Sequence, residues 1–423
     1  MARLVERVWN PRFQGASRQE REGCRYYAFI PDPLAGWELT LPADLAADVA
    51  DAEAAIRELN DAHLSHVSLE GLARFLLRAE SVASSRIEGI EASPQRLMSA
   101  EIALAQGGDA GDRAAAQILA NIGAMDEAIA RASAVKVMAV DDLLAIHVRL
   151  LRDSAGAGPG RVRSEQNWIG GSSYNPCAAA FVPPPPECVG ALLDDLIAYL
   201  NGDEHPPLVQ AAIAHAQFET IHPFIDGNGR VGRALIHVVL RRRGLTPRFV
   251  PPISLVLATW ATSYITGLTA FRHDGPEDSP HRSRACLPWL RTFATGMTRA
   301  CADAATYTAE IERLQGEWRR RLGKMRADST PDRLLRLLPG APVLTTETAA
   351  RITSRSEVSA SSAIGRLVEA GILVQRNVGR QRYRVFEAPD VTGLFTSLER
   401  ALASPTGDTR AEPPVRPAPH RPG

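Results

Sequence analysis

Between Leu41 and Leu151 apolar side chains return every three or four positions, as at Leu64, Val67, Leu69, Leu72, Phe75 and Leu76, which lines one face of a 3.6-residue helix. This Ala- and Leu-rich stretch is predicted to be helical. The texture changes over 160–186, where Gly170-Gly171, Tyr174-Asn175-Pro176 and the run Pro183 to Pro186 punctuate short apolar pieces such as Trp168-Ile169 and Phe181-Val182. Punctuation of that kind predicts a small β-hairpin flap. Helical spacing returns from Glu187 to about Lys324, in Val209 to Thr220, Arg230 to Arg243, Ser254 to Arg272 and a long segment from Leu287 onward. Residues 41–324 are therefore expected to form one mainly α-helical domain with a β insertion, behind an N-terminal arm, residues 1–40. No repeat recurs at a period of 20 to 50 residues, which argues against a solenoid.

The polar stretch Ala327 to Pro331 predicts a linker to a smaller domain at 330–390. There the pattern gives a short helix (Leu334, Leu335, Leu337, Leu338), a second over Thr346 to Ile352, a third over Ser359 to Glu369, and alternating stretches from Gly371 to Phe386 that Gly379 would turn. This is the pattern of a winged helix-turn-helix, with Thr345 or Thr346 capping its second helix and Ala363, Leu367 and Val368 burying the third. Seven arginines (351, 355, 366, 376, 380, 382 and 384) stand against three glutamates between Ala341 and Phe386. Ser359, Ser361, Ser362 and Arg366 on the third helix, with Arg380 and Arg382 on the wing, suit DNA phosphates. No Asn or Gln stands on that helix to read bases, so DNA binding and protein interaction both remain open. The tail 404–423, with prolines at 405, 413, 414, 417, 419 and 422, is expected to be disordered.

Basic and acidic side chains balance at 48 each, so no chain-wide field draws the protein to nucleic acid or membrane. All but Lys136 and Lys324 of the basic residues are arginines, whose planar forks suit phosphate. No run approaches the length of a membrane span and Met1 to Asn10 lacks the apolar core of a signal peptide, which leads to a cytoplasmic expectation with no membrane partner. Cys24, Cys177, Cys188, Cys286 and Cys301 are odd in number and lack CxxC spacing, and are expected to be reduced thiols.

The chemistry concentrates in His222-Pro223-Phe224-Ile225-Asp226-Gly227-Asn228-Gly229-Arg230-Val231-Gly232-Arg233, between two predicted helices. Gly227-Asn228-Gly229 can adopt positive φ and turn backbone N–H groups inward at a helix N-terminus, a ready anion site. Arg230 and Arg233, expected in the first turn, oppose the helix dipole unless an anion is present. Asp226 suits Mg²⁺ shared with phosphate oxygens, and His222 is the natural base for a hydroxyl attacking phosphorus. A nucleotide polyphosphate with Mg²⁺ fits this group best.

The segment resembles the Fic family motif HxFx(D/E)GNGRxxR at every specified position. The resemblance implies the helical Fic fold and transfer of AMP from ATP to a Ser, Thr or Tyr hydroxyl of a protein target. It implies His222 as general base, Asp226 on Mg²⁺, the loop amides of Gly227 and Gly229 with Asn228 and Arg230 on the phosphates, Arg233 on the terminal phosphate, and Phe224 as a core anchor. Gly229 stands where the family's death-on-curing kinase branch has Lys, which disfavours that branch. Family members that use other nucleotide donors remain open.

Upstream, Glu88 ends a helical run just before Gly89, a glycine suited to the C′ position, and so faces the negative end of the dipole and calls for a cation. Ser84 to Gly89 resembles the family's inhibitory motif (S/T)xxxE(G/N). The resemblance implies that Glu88 pairs with Arg233 and keeps the terminal phosphate from docking; in some members the same glutamate supports removal of AMP. Asn167 to Pro183 resembles the family's target-docking hairpin. Tyr26 to Pro33, Gly160-Arg161-Val162-Arg163 and Pro251 to Ala258 extend the resemblance to roughly residues 20–320 with no catalytic role. A homodimer is compatible with the family. The rival to the enzyme is a DNA-binding regulator whose Fic domain senses nucleotide without turnover.

Overall fold

A computed structural model of the chain describes residues 2–10, 23–61, 69–105, 107–134, 136–152, 158–172, 174–273, 280–376 and 384–401. Strands β1 (Arg3–Trp9) and β2 (Cys24–Ile30) precede the helices α1 (Ala43–Asp61), α2 (Leu69–Ile87), α3 (Pro94–Ala105), α4 (Arg113–Ala134) and α5 (Val140–Leu150). There follow α6 (Pro186–Asn201), α7 (Pro207–Ile221), α8 (Asn228–Arg242), α9 (Ile253–Thr259), α10 (Ala261–Phe271) and α11 (Pro280–Leu322). The C-terminal part holds α12 (Thr330–Leu337), β3 (Val343–Thr345), α13 (Thr346–Thr353), α14 (Glu357–Glu369), β4 (Val374–Gln375), β5 (Val385–Glu387) and α15 (Pro389–Ala401). The chain divides into two compact units. Leu64 and Val67 of the first predicted helical run, the turn and wing residues Gly379, Arg380 and Arg382, and the tail 404–423 lie outside the described residues.

The first unit comprises Met1–Ala52, Glu127–Leu245 and Thr262–Thr295. Its centre is α7, where every residue from Leu208 to Ile221 is buried. An all-round apolar helix belongs inside, and its four alanines let neighbours approach closely. Close approach to α8 has its condition at Gly232, where a Cβ would stand 2.4 Å from Glu219 Oε1 and 3.0 Å from the Phe218 ring.

The N-terminal arm contains a strand pair that the sequence reading missed. β1 and β2 pair antiparallel from Arg3↔Ile30 to Trp9↔Cys24. Val5, Arg7, Trp9, Cys24, Tyr26 and Ala28 share the covered face, and Leu4, Val8 and Tyr27 point outward. Among the described residues the flap closes with one antiparallel bridge, Ile169↔Phe181. Phe29 N–H donates to Val182 C=O at 2.9 Å, and Trp9 meets Trp168 edge-on at 5.3 Å, so the hairpin lies on the flap. That packing corrects the expectation of five free thiols, because it brings Cys24 and Cys177, 153 residues apart in sequence, to a Cα–Cα distance of 5.8 Å as a disulfide. Such a separation leaves no spacing signal. Cys188, Cys286 and Cys301 are free, and burial pushes the last two thiols up to about 12.

The second unit comprises Glu53–Asp126, Thr246–Ala261 and Gly296–Gly423. Helix α2 runs through it. Glu80, fully buried, accepts hydrogen bonds from Ser254 N–H (2.7 Å) and Oγ–H (2.5 Å), placing its charge at the N-terminus of α9. Asn121 of α4 donates to Ser81 C=O and Ser85 Oγ on α2 at 2.8 and 3.1 Å. At the other end Phe75 stacks on Phe395 at 4.4 Å. The predicted helix Ser254 to Arg272 is interrupted at Trp260, whose N–H closes α9 on Val256 C=O.

In the C-terminal segment Leu334, Leu335, Leu338, Leu344, Ala360, Ala363, Ile364, Leu367 and Phe386 form one core with Trp318 of α11. Thr345 caps α13 by accepting from Thr348 N–H, and Ser356 caps α14 by accepting from Ser359 N–H. Val368, expected inside, is on the outer side of α14; Ala360 and Ile364 take the buried positions. The sheet order is β3-β5-β4.

Candidate active site

Helix α7 ends because His222 is left-handed, at φ 49 and ψ 60, with its N–H bonded to Phe218 C=O. A left-handed non-glycine costs about 1–2 kcal/mol, so surrounding bonds must hold it. Pro223 and Phe224 then turn inward while Ile225 and Asp226 remain exposed. Gly227, at φ 82, is the N-cap of α8, and the first helical bond runs from Val231 N–H to Gly227 C=O. The amides of residues 228–230 therefore precede the helical ladder at the positive end of the dipole.

Some details differ from the sequence expectation. Only Gly227 of the GNG tripeptide is left-handed; Asn228 and Gly229 already belong to α8. The Asn228 side chain clasps the backbone of Phe224, accepting from its N–H at 2.9 Å and donating to its C=O at 2.8 Å. Arg230 lies in the first turn and Arg233 in the second, both buried, at 2% and 1% exposure. The Arg230 guanidinium is 3.6 Å from Asp226 Oδ1, which also accepts from Gly227 N–H at 2.6 Å. His222 is 18% exposed at its side chain, with Nδ1 4.0 Å from Glu219 Oε2, one helical turn earlier.

Three residues outside the motif shape the loop. His147 of α5 stacks on Phe224 with ring centroids 3.7 Å apart, lies with Nε2 3.0 Å from Asp226 C=O, and accepts from Gly160 N–H at Nδ1. That acceptor role fixes the Nε2–H tautomer, which donates to Asp226 C=O. Burial holds the imidazole below its ordinary range. Arg163, 3% exposed, aims its guanidinium at main-chain carbonyls, and desolvation lowers it to about 10. Asn167 donates to His222 C=O (3.2 Å) and Phe224 C=O (2.9 Å). The partners of Arg163 and Asn167 are main-chain carbonyls, which carry no residue-type signal, so the stretches that contain these two residues gave them no role in the sequence.

Asp226 retains an exposed carboxylate beside the α8 N-terminus, which fits Mg²⁺ bound through one carboxylate and substrate phosphates. Among the described residues no group of three or more His, Cys, Asp or Glu forms a metal site from protein alone. Also among them, no single helix is long and apolar enough to cross a membrane.

Ser84 and Glu88 belong to the second unit. Ser84 is fully buried on α2, and Glu88 follows its last residue. Gly89, at φ 74, ends the helix with its N–H on Arg86 C=O while Ile90 N–H reaches Ser85 C=O, the two bonds of a Schellman closure.

The arrangement defines a class: a mainly helical protein in which a histidine closes one helix and two buried arginines stand in the first two turns of the next. Residues 137–240 match the Fic/DOC family and residues 46–130 the Fic/DOC family N-terminal region, and together they support a Fic family protein. Protein adenylyltransferase fic-1 of Caenorhabditis elegans is 34% identical over 117 residues, covering 27% of this chain and 21% of that protein. Protein adenylyltransferase Fic of Drosophila yakuba is 34% identical over 115 residues, covering 26% and 21%. The match thus spans about a fifth of the length of these curated relatives. The crystal structure of a Fic family protein from Desulfovibrio desulfuricans G20 has a TM-score of 0.50 at 21% identity, over 82% of this chain and 97% of that one, a likeness of fold.

Proposed function

We propose that the chain is a protein adenylyltransferase that moves AMP from ATP to a Ser, Thr or Tyr hydroxyl of a protein target and is held down by Glu88. The observation that carries this reading is His222 at the end of α7, joined by a short loop to α8, whose first two turns carry the buried Arg230 and Arg233. Phosphates suit the positive end of the α8 dipole, beside which Arg230 and Arg233 are buried. The target hydroxyl oxygen attacks the α-phosphorus, the bond to pyrophosphate breaks, and His222 takes the hydroxyl proton. Asp226 would hold Mg²⁺, which would supply neutralisation of charge on the phosphates. Arg230 and Arg233 hold the leaving phosphates, and Asn228 shapes the loop through Phe224.

In this reading α12 to β5 form the winged helix, supported by the sheet order β3-β5-β4 and by Arg366 exposed on α14. It recruits the target or a DNA site. The test compares wild type, Glu88→Gly and Glu88→Gly/His222→Ala after incubation with ATP and Mg²⁺, by intact mass. AMP on the Glu88→Gly protein or on an added lysate protein, with wild type and double variant nearly bare, supports the assignment. If all three stay bare yet bind ATP, the donor is another nucleotide or the protein is a nucleotide-sensing regulator. A salt-sensitive shift of DNA by the full chain favours the latter.

A further inference from the structure

At the end of α7 four consecutive carbonyls, that of Ile221, the last helical residue, and those of His222, Pro223 and Phe224 after it, have no partner within the helix. All four are held by two residues at the foot of the flap. Arg163 donates from Nη2 to Ile221 C=O (3.3 Å), from Nε to His222 C=O (2.9 Å) and from its main-chain N–H to Pro223 C=O (2.9 Å). Asn167 adds a second donor to His222 C=O and reaches Phe224 C=O. The His222 oxygen thus accepts two bonds, which uses both its lone pairs. The remaining Arg163 bonds run to Glu165 C=O (3.1 Å) and Pro184 C=O (2.6 Å), on the two sides of the flap. Among the described residues no carboxylate pairs with this guanidinium, so its buried charge is solvated by main-chain dipoles and lies at the negative end of α7.

We infer that Arg163, with Asn167, is a positioning residue for the proposed AMP transfer: it holds the strained backbone of His222 from the foot of the flap and so sets where the imidazole points. The inference rests on the adenylyl transfer proposed above. It assigns the pair no contact with nucleotide. A planar fork is needed to reach Ile221, His222 and Pro184 together, so lysine replaces it only in part.

The experiment places Arg163→Lys, Arg163→Ala and Asn167→Ala in the Glu88→Gly background. AMP transfer gives kcat, calorimetry gives the ATP Kd, and amide hydrogen exchange compares residues 218–228 with the α7 interior, 208–216. A misplaced reacting group costs up to about 100-fold, so kcat is expected to fall strongly in Arg163→Ala and less in Arg163→Lys and Asn167→Ala. ATP Kd stays within about twofold, since the α8 N-terminus is untouched. Exchange rises in 218–228 alone. Unchanged kcat, a parallel loss of ATP affinity, or faster exchange throughout α7 overturns the inference and leaves Arg163 a fold-stabilising residue. If Arg163→Ala does not fold, Asn167→Ala decides by the same criteria. If the Glu88→Gly parent transfers no AMP, the adenylyltransferase reading is what fails, and exchange in 218–228 alone decides whether the clamp exists.

Discussion

Asn228→Ala isolates one contact in the loop. The Phe224 N–H donates to Asn228 Oδ1 at 2.9 Å and the Phe224 C=O accepts from Nδ2 at 2.8 Å, with Phe224 1% and Asn228 3% exposed. Alanine removes both partners. Leaving a buried backbone group unsatisfied costs about 1–3 kcal/mol. The carbonyl keeps its bond from Asn167 at 2.9 Å, so the amide bears most of the loss. A reduction of about 2 kcal/mol in local opening energy speeds exchange of the Phe224 amide about 30-fold, since about 1.4 kcal/mol corresponds to tenfold. Asn228→Asp retains an oxygen acceptor for that amide but no donor for the carbonyl, so Phe224 stays slow in Asp and becomes fast in Ala. The assay is native-state exchange resolved by NMR, with amides of the α7 interior as the internal standard. Equal rates for Phe224 in wild type and Asn228→Ala would refute the clasp. Equal rates in the Ala and Asp variants would refute the division of labour between the two amide atoms.

Gly232→Ala forces a Cβ against Glu219 Oε1 at 2.4 Å and the Phe218 ring at 3.0 Å. Overpacking of about 1–3 kcal/mol outweighs the helix-propensity gain of up to about 1 kcal/mol, and a lower denaturation midpoint is expected. His147 is held neutral, below its ordinary value of 6.5, by burial. As pH falls through 6.5 the unfolded chain binds a proton that the native chain resists, so stability is complete above that value and declines from there toward the depressed native one. His205 shifts in the same direction through burial. Denaturation midpoints from pH 7.5 to 5 should drop for wild type and drop less for His147→Gln; identical slopes would remove His147 from the account. Peptide mapping without reductant should recover Cys24 joined to Cys177, with Cys286 and Cys301 unlinked.

The candidate site was legible because the residues that define it are contiguous. Twelve positions carry base, acid, glycines and arginines, and the helices on either side announce themselves by periodicity. What supports the loop was not legible. Arg163 and Asn167 hold the loop through main-chain carbonyls and His147 bonds main-chain groups on either side of its stack on Phe224, so these hydrogen bonds leave no pattern in residue types. The β1–β2 pair was missed because Arg3–Trp9 places Leu4 and Val8 outward beside charged residues, which blurs the alternation that marks a half-buried strand. Val368 was misjudged because the buried stripe of α14 follows Ala360, Ala363, Ile364 and Leu367, and position 368 lies beyond its edge. The helix predicted through Trp260 kept its apolar spacing across the break, and periodicity alone does not register a change of axis.

The bond between Cys24 and Cys177 closes a covalent ring around the intervening chain. Both cysteines sit in the first unit, while Glu53–Asp126, including α2 and α3, belongs to the second. That part of the second unit is thus an excursion threaded out of the first and returned to it inside a closed loop. In the chain-entropy description a ring of 153 residues restricts the unfolded ensemble by about 5 kcal/mol. A protease cut anywhere within the ring would nick the chain without parting it, so the fragments would travel together until a thiol reductant separated them.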